Sequence, residues 1–183
     1  MATLAGQFLI AATALRDTNF YRSVVLLVRH DDEGAFGLVL NRPMNAQLDQ
    51  IWSQLSETPC ARSESLFVGG PVEGPFTALH TNEELSDLEV SAGLYFSGEK
   101  THLEELIAGD GAPARFFIGF AGWGPGQLEA ELGEQAWLTT SATIEMIFSD
   151  PADLWERVNR GIAQAGVLSA LHIKHVPPNP SMN

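Results

Sequence analysis

Short apolar runs, separated by polar or glycine-ended connections, fill the first two-thirds of the chain; the last third shows the three-and-four spacing of helices. Phe8 to Ala11 predicts a first buried strand. Val24-Val-Leu-Leu-Val28 is uninterrupted and β-branched, the mark of a central strand covered on both faces. Arg29 to Gly34 then supplies a polar turn, and Ala35 to Leu40 returns antiparallel as a hairpin partner. Gly37 inside that run points to a bulge or a closely packed neighbour. Asn41-Arg42-Pro43 ends the strand, because proline has no amide to donate and forces its predecessor into extended geometry.

Leu48, Ile51, Trp52 and Leu55 share one helical stripe and predict a helix over 48–55. Further strands are expected at Ser65–Val68, Phe76–Leu79, Leu94–Phe96 and Arg115–Ile118, with a helix carried by Leu103, Leu106 and Ile107 between the last two. Gln127 to Leu132 predicts a short helix and Ala136 to Thr140 a strand. Ser141 then caps a helix to Phe148, and Asp150 with Pro151 opens another toward Ala165, its apolar stripe being Leu154, Trp155, Val158 and Ile162. Strands first and helices last argue for an α+β fold rather than a regular βαβ alternation. Residues 1–176 are expected to form one domain, with 177–183 as an extended tail.

Composition narrows the function classes. With 45% hydrophobic and 18% charged residues, the chain of 183 residues is an ordinary globular protein able to bury a core without disulfides. Acids outnumber bases 23 to 10, a formal charge of −13 that repels phosphate backbones and disfavours direct nucleic-acid binding. Glu83, Glu84, Asp87, Glu89, Glu99, Glu104, Glu105 and Asp110 concentrate that charge; they form either a solvated surface or a docking face for a basic partner. Cys60 is the single cysteine, so no intramolecular disulfide or thiol-based metal cluster is possible and a reducing cytosol fits best. The apolar N-terminus has no Lys or Arg before Arg16 and reads as mature protein, not as a secretion signal. No segment approaches the roughly 20 apolar residues of a membrane span, and no membrane association is expected.

The chemical motifs are few. The glycines lack the Lys-Ser/Thr of a phosphate loop and the spacing of a dinucleotide fingerprint, so no cofactor is expected. Gly69-Gly70-Pro71 is either a small anion nest or, more simply, a tight turn. His172 and His175 are too few ligands for a metal site, and His30, His80 and His102 look isolated, at strand or helix ends. No Gly-x-Ser-x-Gly signature marks a nucleophile. Glu129 and Glu131 lie about 200° apart on a helix, so they cannot act as an acid and base pair; one could bind a base or loop amides. Arg42, at the end of an apolar strand, either grips an anion or ties two loops, the tie being favoured.

Taken together, Gly6-Gln-Phe-Leu-Ile-Ala11, Asp17-Thr-Asn-Phe20 with Ser23-Val-Val25, Gly34-Ala-Phe-Gly-Leu-Val-Leu-Asn-Arg-Pro43, Gly69-Gly-Pro-Val72 and Gly119-Phe-Ala-Gly-Trp-Gly-Pro-Gly-Gln-Leu-Glu129 with Trp137 resemble the YqgE/AlgH family. The resemblance runs in order over nearly the whole chain. It implies a bent, partly bifurcated sheet curled into a pseudo-barrel with helices outside, and it supplies no catalytic residues. Some members are labelled transcriptional regulators. Two departures stand out: Thr13 where the family usually has proline, and Phe120 where tyrosine is common.

Three functions compete. The first is a non-enzymatic cytosolic protein acting through contacts with other proteins, in regulation or otherwise. The second is a small-molecule site or an enzyme at a pocket formed by Asn41, Arg42, Pro43, Gly69, Gly70, Pro71 and the loop of Gly122, Trp123, Gly124, Gly126, Gln127 and Glu129. The third is direct DNA regulation, for which Arg157, Arg160 and Lys174 are the nearest thing to a basic patch.

Overall fold

The computed structural model of the chain describes residues 3–12, 20–109 and 111–170. The Thr13–Asp17 connection, the His172 and His175 pair, Lys174 and the proposed boundary at residue 176 lie outside them.

Strands β1 (Gln7–Ala11), β2 (Val24–Asp31) and β3 (Gly34–Val39) form an antiparallel meander, with Leu9 opposite Val25 and Leu26 opposite Leu38. These runs are apolar without alternation because both faces are covered. Phe8, Ile10, Val24, Leu26, Val28 and Leu38 face one core with Leu154, Trp155 and Val158 of a C-terminal helix. Leu9, Val25 and Leu27 face another, built on Trp123, Leu128 and Trp137. β2 continues through Arg29, His30 and Asp31, which the sequence assigns to the turn; the turn itself is only Asp32 and Glu33. Gly37 answers both expectations: a side chain there would meet the Leu26 carbonyl at 2.8 Å, and the pairing shifts register opposite it, between Leu27 and Arg29.

Beyond Asn41, the short strand β4 (Pro43–Gln47) leads into α1 (Leu48–Leu55), followed by β5 (Ser65–Val68) and β6 (Val72–His80). After a single 3-10 turn at Glu83–Leu85 come β7 (Leu88–Ser91), β8 (Leu94–Ser97) and α2 (Lys100–Ala108). α1 and α2 pack Trp52, Leu103, Leu106 and Ile107 against Leu66, Phe76, Ala78 and Phe116, a third core cluster.

The organising element is β9 (Ala114–Trp123), ten residues long and central in the sheet. One edge pairs with β6 from Ala114 to Phe120. The other edge is shared: Phe116 to Ile118 pair in parallel with β5, and Ala121 to Trp123 pair antiparallel with β3. The division falls at Gly119, whose φ of +72° lies in the left-handed region that favours glycine. Gly69 spans the gap, donating its N–H to the Ile118 carbonyl (2.8 Å) and accepting from the Val39 N–H (2.7 Å).

The chain then forms α3 (Gln127–Gly133), β10 (Trp137–Ser141), α4 (Ile144–Ile147) and α5 (Leu154–Ala170). Thr143, not Ser141, caps α4, its side chain accepting from the Met146 N–H. The ten-stranded sheet runs β10-β1-β2-β3-β9-β6-β8-β7, with β4 and β5 branching from β9. It bends far enough to bring Ser91 of β7 near Gly6, yet β7 and β10 do not pair and the sheet does not close.

Candidate functional site

The sequence singles out two segments that meet and one that stays apart. Asn41, Arg42 and Pro43 come together with Gly70 and Pro71, and with Val39 and Val68, around an open groove of ≈490 Å³. The meeting results from the bifurcation: β3 ends at Val39, β5 ends at Val68, and the chain must cross β9 at Gly69-Gly70 before β6 begins. A methyl group on Gly70 would sit 2.2 Å from the Phe120 carbonyl carbon and oxygen, so the crossing needs glycine.

The polar side chains of the groove are engaged with neighbouring backbone. The Asn41 amide accepts from the Val24 N–H (3.0 Å) and donates to the Arg22 carbonyl (2.8 Å). Arg42 Nη2 donates to the Tyr21 carbonyl at 2.5 Å. Both therefore tie the chain before β2 to the end of β3. Exposed apolar groups border them: Tyr21 at 56%, Val68 at 41% and Val72 at 41%. β4, beyond Pro43, pairs only with β5, so its second edge is unpaired among the described residues.

Gly122, Trp123, Gly124, Gly126, Gln127 and Glu129 lie elsewhere. Trp123 borders a smaller depression of ≈250 Å³ with Arg29, Glu33, Gly34 and Phe36, separate from the groove. The segment is half strand: through Trp123 it belongs to β9, and Gly126, with φ +72°, turns the chain into α3. Glu131, for which the sequence offers a base or loop amides as partner, instead binds two indoles and fastens α3 to both flanking strands. Its Oε2 accepts from the indole N–H groups of Trp123 (2.9 Å) and Trp137 (2.7 Å), and its Oε1 accepts from Gln127 (2.9 Å). Gln127 in turn accepts from the Gly124 N–H.

Glu129, on another side of α3, reaches His30. The Leu4 N–H donates to His30 Nδ1, so Nε2 carries the ring proton and donates to Glu129 Oε1 at 2.7 Å. That hydrogen bond, helped by the backbone N–H of Glu129, holds its carboxyl below the usual carboxylate range. The offset of two on α3 thus sends the two acids to different partners.

None of the three described histidines is isolated. His80, fully buried, accepts from the Asn82 N–H and bonds Ser97, whose hydroxyl donates to the Leu85 carbonyl. Burial pushes its pKa down to about 4. His102 binds Asp87 at 2.5 Å, and Asp87 also accepts from the Gly98 and Glu99 N–H groups at the start of α2. Asp87, Glu99 and His102 are close enough to reach a common ion, but the Asp87 carboxylate is already occupied by these three donors. Glu83, Glu84, Glu89, Glu99 and Glu105 are exposed. Phe120 packs on Phe36, and Cys60 donates to the Arg62 carbonyl.

The geometry defines a single-domain α+β protein built on a split, bent sheet, with its candidate groove at the split. The chain belongs to the AlgH-like family, whose model matches residues 8–165. A UPF0301 protein of Chlorobaculum tepidum is 36% identical over 97% of this chain and 95% of its own, and one of Rhizobium meliloti is 38% identical over 92% and 89%. The solution structure of the AlgH protein from Pseudomonas aeruginosa matches with a TM-score of 0.75, 34% identity and 96% of both chains covered. A Corynebacterium diphtheriae protein at 22% identity, TM-score 0.70 and 85% coverage of each chain shares the fold. Among the described residues, no helix is long and apolar enough to cross a membrane.

Proposed function

We propose that this protein acts without catalysis, by docking another protein on the groove at the sheet split, and that the contact is regulatory. The observation that carries the reading is the division of labour within the groove. Asn41 and Arg42 are committed to backbone partners, whereas Tyr21, Val68 and Val72 present apolar surface to solvent beside them. An apolar patch rimmed by hydrogen-bonded polar groups suits a protein contact. Arg42 in its lining favours a partner that offers apolar side chains beside an acidic one.

The setting is the reducing cytosol that suits a single unpaired cysteine. A composite small-molecule pocket fits less well, because Trp123 lies away from the groove. Direct DNA binding is not part of the proposal: the charge is −13, and Arg29, Arg62, Lys100 and Arg157 each pair with an acid.

The test is affinity capture with the wild-type protein and with a Val68→Glu, Val72→Glu double variant of unchanged thermal stability. A partner retained by the first and lost by the second supports the proposal. Identical capture by both, or no reproducible partner at low salt, overturns it.

A further inference from the structure

On the opposite side of β5 from Val68 lies a second cleft, and it is organised around a buried cation. Consecutive strand residues face opposite ways, so Phe67 turns into this cleft while Val68 turns to the groove. The cleft, ≈340 Å³, is walled by Phe67, Pro113, Phe148 and Pro151, with Arg115 and Ser65 as polar elements and Glu64 at its margin.

Arg115 is only 6% exposed. Its Nη1 donates to the Leu40 carbonyl (3.0 Å) and its Nη2 to the Ser149 carbonyl (2.6 Å), and the guanidinium lies 4.5 Å from the centre of the Phe67 ring. These contacts fix its plane. They do not neutralise it, since Arg115 makes no salt bridge among the described residues. Arg62, the other buried arginine, pairs with Glu64 at 2.6 Å. Asp150 attracts Arg115 only from beyond salt-bridge distance, and its carboxylate also accepts from the Ala152 N–H.

Three of the five N–H donors of Arg115 are left over among the described residues: Nε–H and the second proton on each Nη. Its Nε–H has no acceptor among the described residues, and the sole fully buried polar side-chain atom without a partner is Thr77 Oγ1. Nε is therefore not sealed in the core, and Arg115 lines the cleft. A buried, immobilised cation with a free N–H facing an apolar-walled cavity is the arrangement that recognises an anion carried on an apolar body.

We propose that this cleft binds a small monocarboxylate, its carboxylate received by Arg115 Nε–H beside the Ser65 hydroxyl and its apolar body packed between Pro113, Phe148 and Pro151. Charge selects a carboxylate over a phosphate: Glu64 and Asp150 flank the cleft and repel a dianion more than a monoanion. The site is independent of the docking groove, because the two open on opposite faces of β5.

Benzoate is the probe, titrated into the full chain while the ¹H–¹⁵N resonance of Arg115 Nε is followed, with chloride and inorganic phosphate at matched ionic strength as the other arms. The expected result is a saturable shift with benzoate and none with the other two. Arg115 also holds two elements together, so the variant is placed at the margin: Glu64→Gln keeps an amide oxygen to accept from Arg62, removes a repelling charge and tightens benzoate by about threefold, the order of one exposed charge. The proposal is overturned if the Nε resonance does not saturate up to the solubility limit of sodium benzoate. It is equally overturned if phosphate binds as tightly, or if Glu64→Gln weakens binding.

Discussion

Replacing Glu131 with alanine removes the acceptor shared by two indoles. Trp123 and Trp137 are 6% and 3% exposed, and each donates its N–H to the same carboxylate oxygen. A buried donor left unsatisfied costs about 1–3 kcal/mol, and little solvent reaches either indole. Two of them bring the loss to about 3 kcal/mol, with the Gln127 contact adding little because it is exposed. For a protein of this size that corresponds to a fall in Tm of about 6–12 °C. Glu131→Gln is the informative control. Its amide oxygen can still accept from both indoles, so only the charge assistance is lost, and we expect about 1 kcal/mol. Urea unfolding monitored by circular dichroism and by tryptophan fluorescence measures both variants. The reasoning is refuted if the alanine variant loses less than about 1 kcal/mol, or if glutamine is as damaging as alanine.

Other contacts give three further expected outcomes. Gly70→Ala places a methyl 2.2 Å from the Phe120 backbone, which cannot move without disturbing β9, so thermal unfolding should show a loss of more than about 2 kcal/mol. His80 has a folded pKa of about 4 against an ordinary 6.5, so the unfolded chain binds more protons between those values. Wild-type stability should therefore fall as pH drops from 6.5 to about 4, by up to ~3 kcal/mol, and His80→Asn should remove that component of the slope. The Glu129 carboxyl is depressed below its ordinary 4.5, so its contribution is present above that value and lost as pH falls through the folded one. The stability gap between wild type and Glu129→Gln, read from urea midpoints, should be open at neutral pH and close in acid.

Much of this architecture was legible in the chain. The helix over 48–55 and the strand over 65–68 fall where the apolar pattern places them: Leu48, Trp52 and Leu66 pack in one cluster and Phe67 in another. β4 and β7 were not legible. Pro43-Met-Asn-Ala-Gln47 has no β-branched residue and makes only two pairings, and Leu88 to Ser91 lies inside an acidic run that reads as surface. The glycine-tryptophan segment reads as a loop on local turn chemistry, yet its first half continues a central strand. There the demand for glycine comes from chain crossing at Gly70 and from the left-handed turn at Gly119, which are tertiary facts.

The candidate groove shows the same limit. The sequence favours a tie for Arg42, but the backbone partners of Asn41 and Arg42, at Arg22, Tyr21 and Val24, become neighbours only through the pairing of β2 with β3. The indole partners of Glu131, and Arg115 altogether, were invisible for a related reason. An acid two residues past another acid, and an arginine at a strand start, carry no signal until the indoles of Trp123 and Trp137 or the carbonyls of Leu40 and Ser149 are brought to them.

The docking proposal is tested most directly by site-specific photo-cross-linking in cells, with the photoreactive residue at position 68 in the groove or at the exposed position 72, next to Pro71 of its lining, and, as control, at the exposed Gln54 of α1. The account predicts one common protein adduct from both groove positions, none from position 54, and loss of the adduct from position 72 when Val68→Glu is added. Adducts of equal yield from all three positions, or none from the groove, would contradict it.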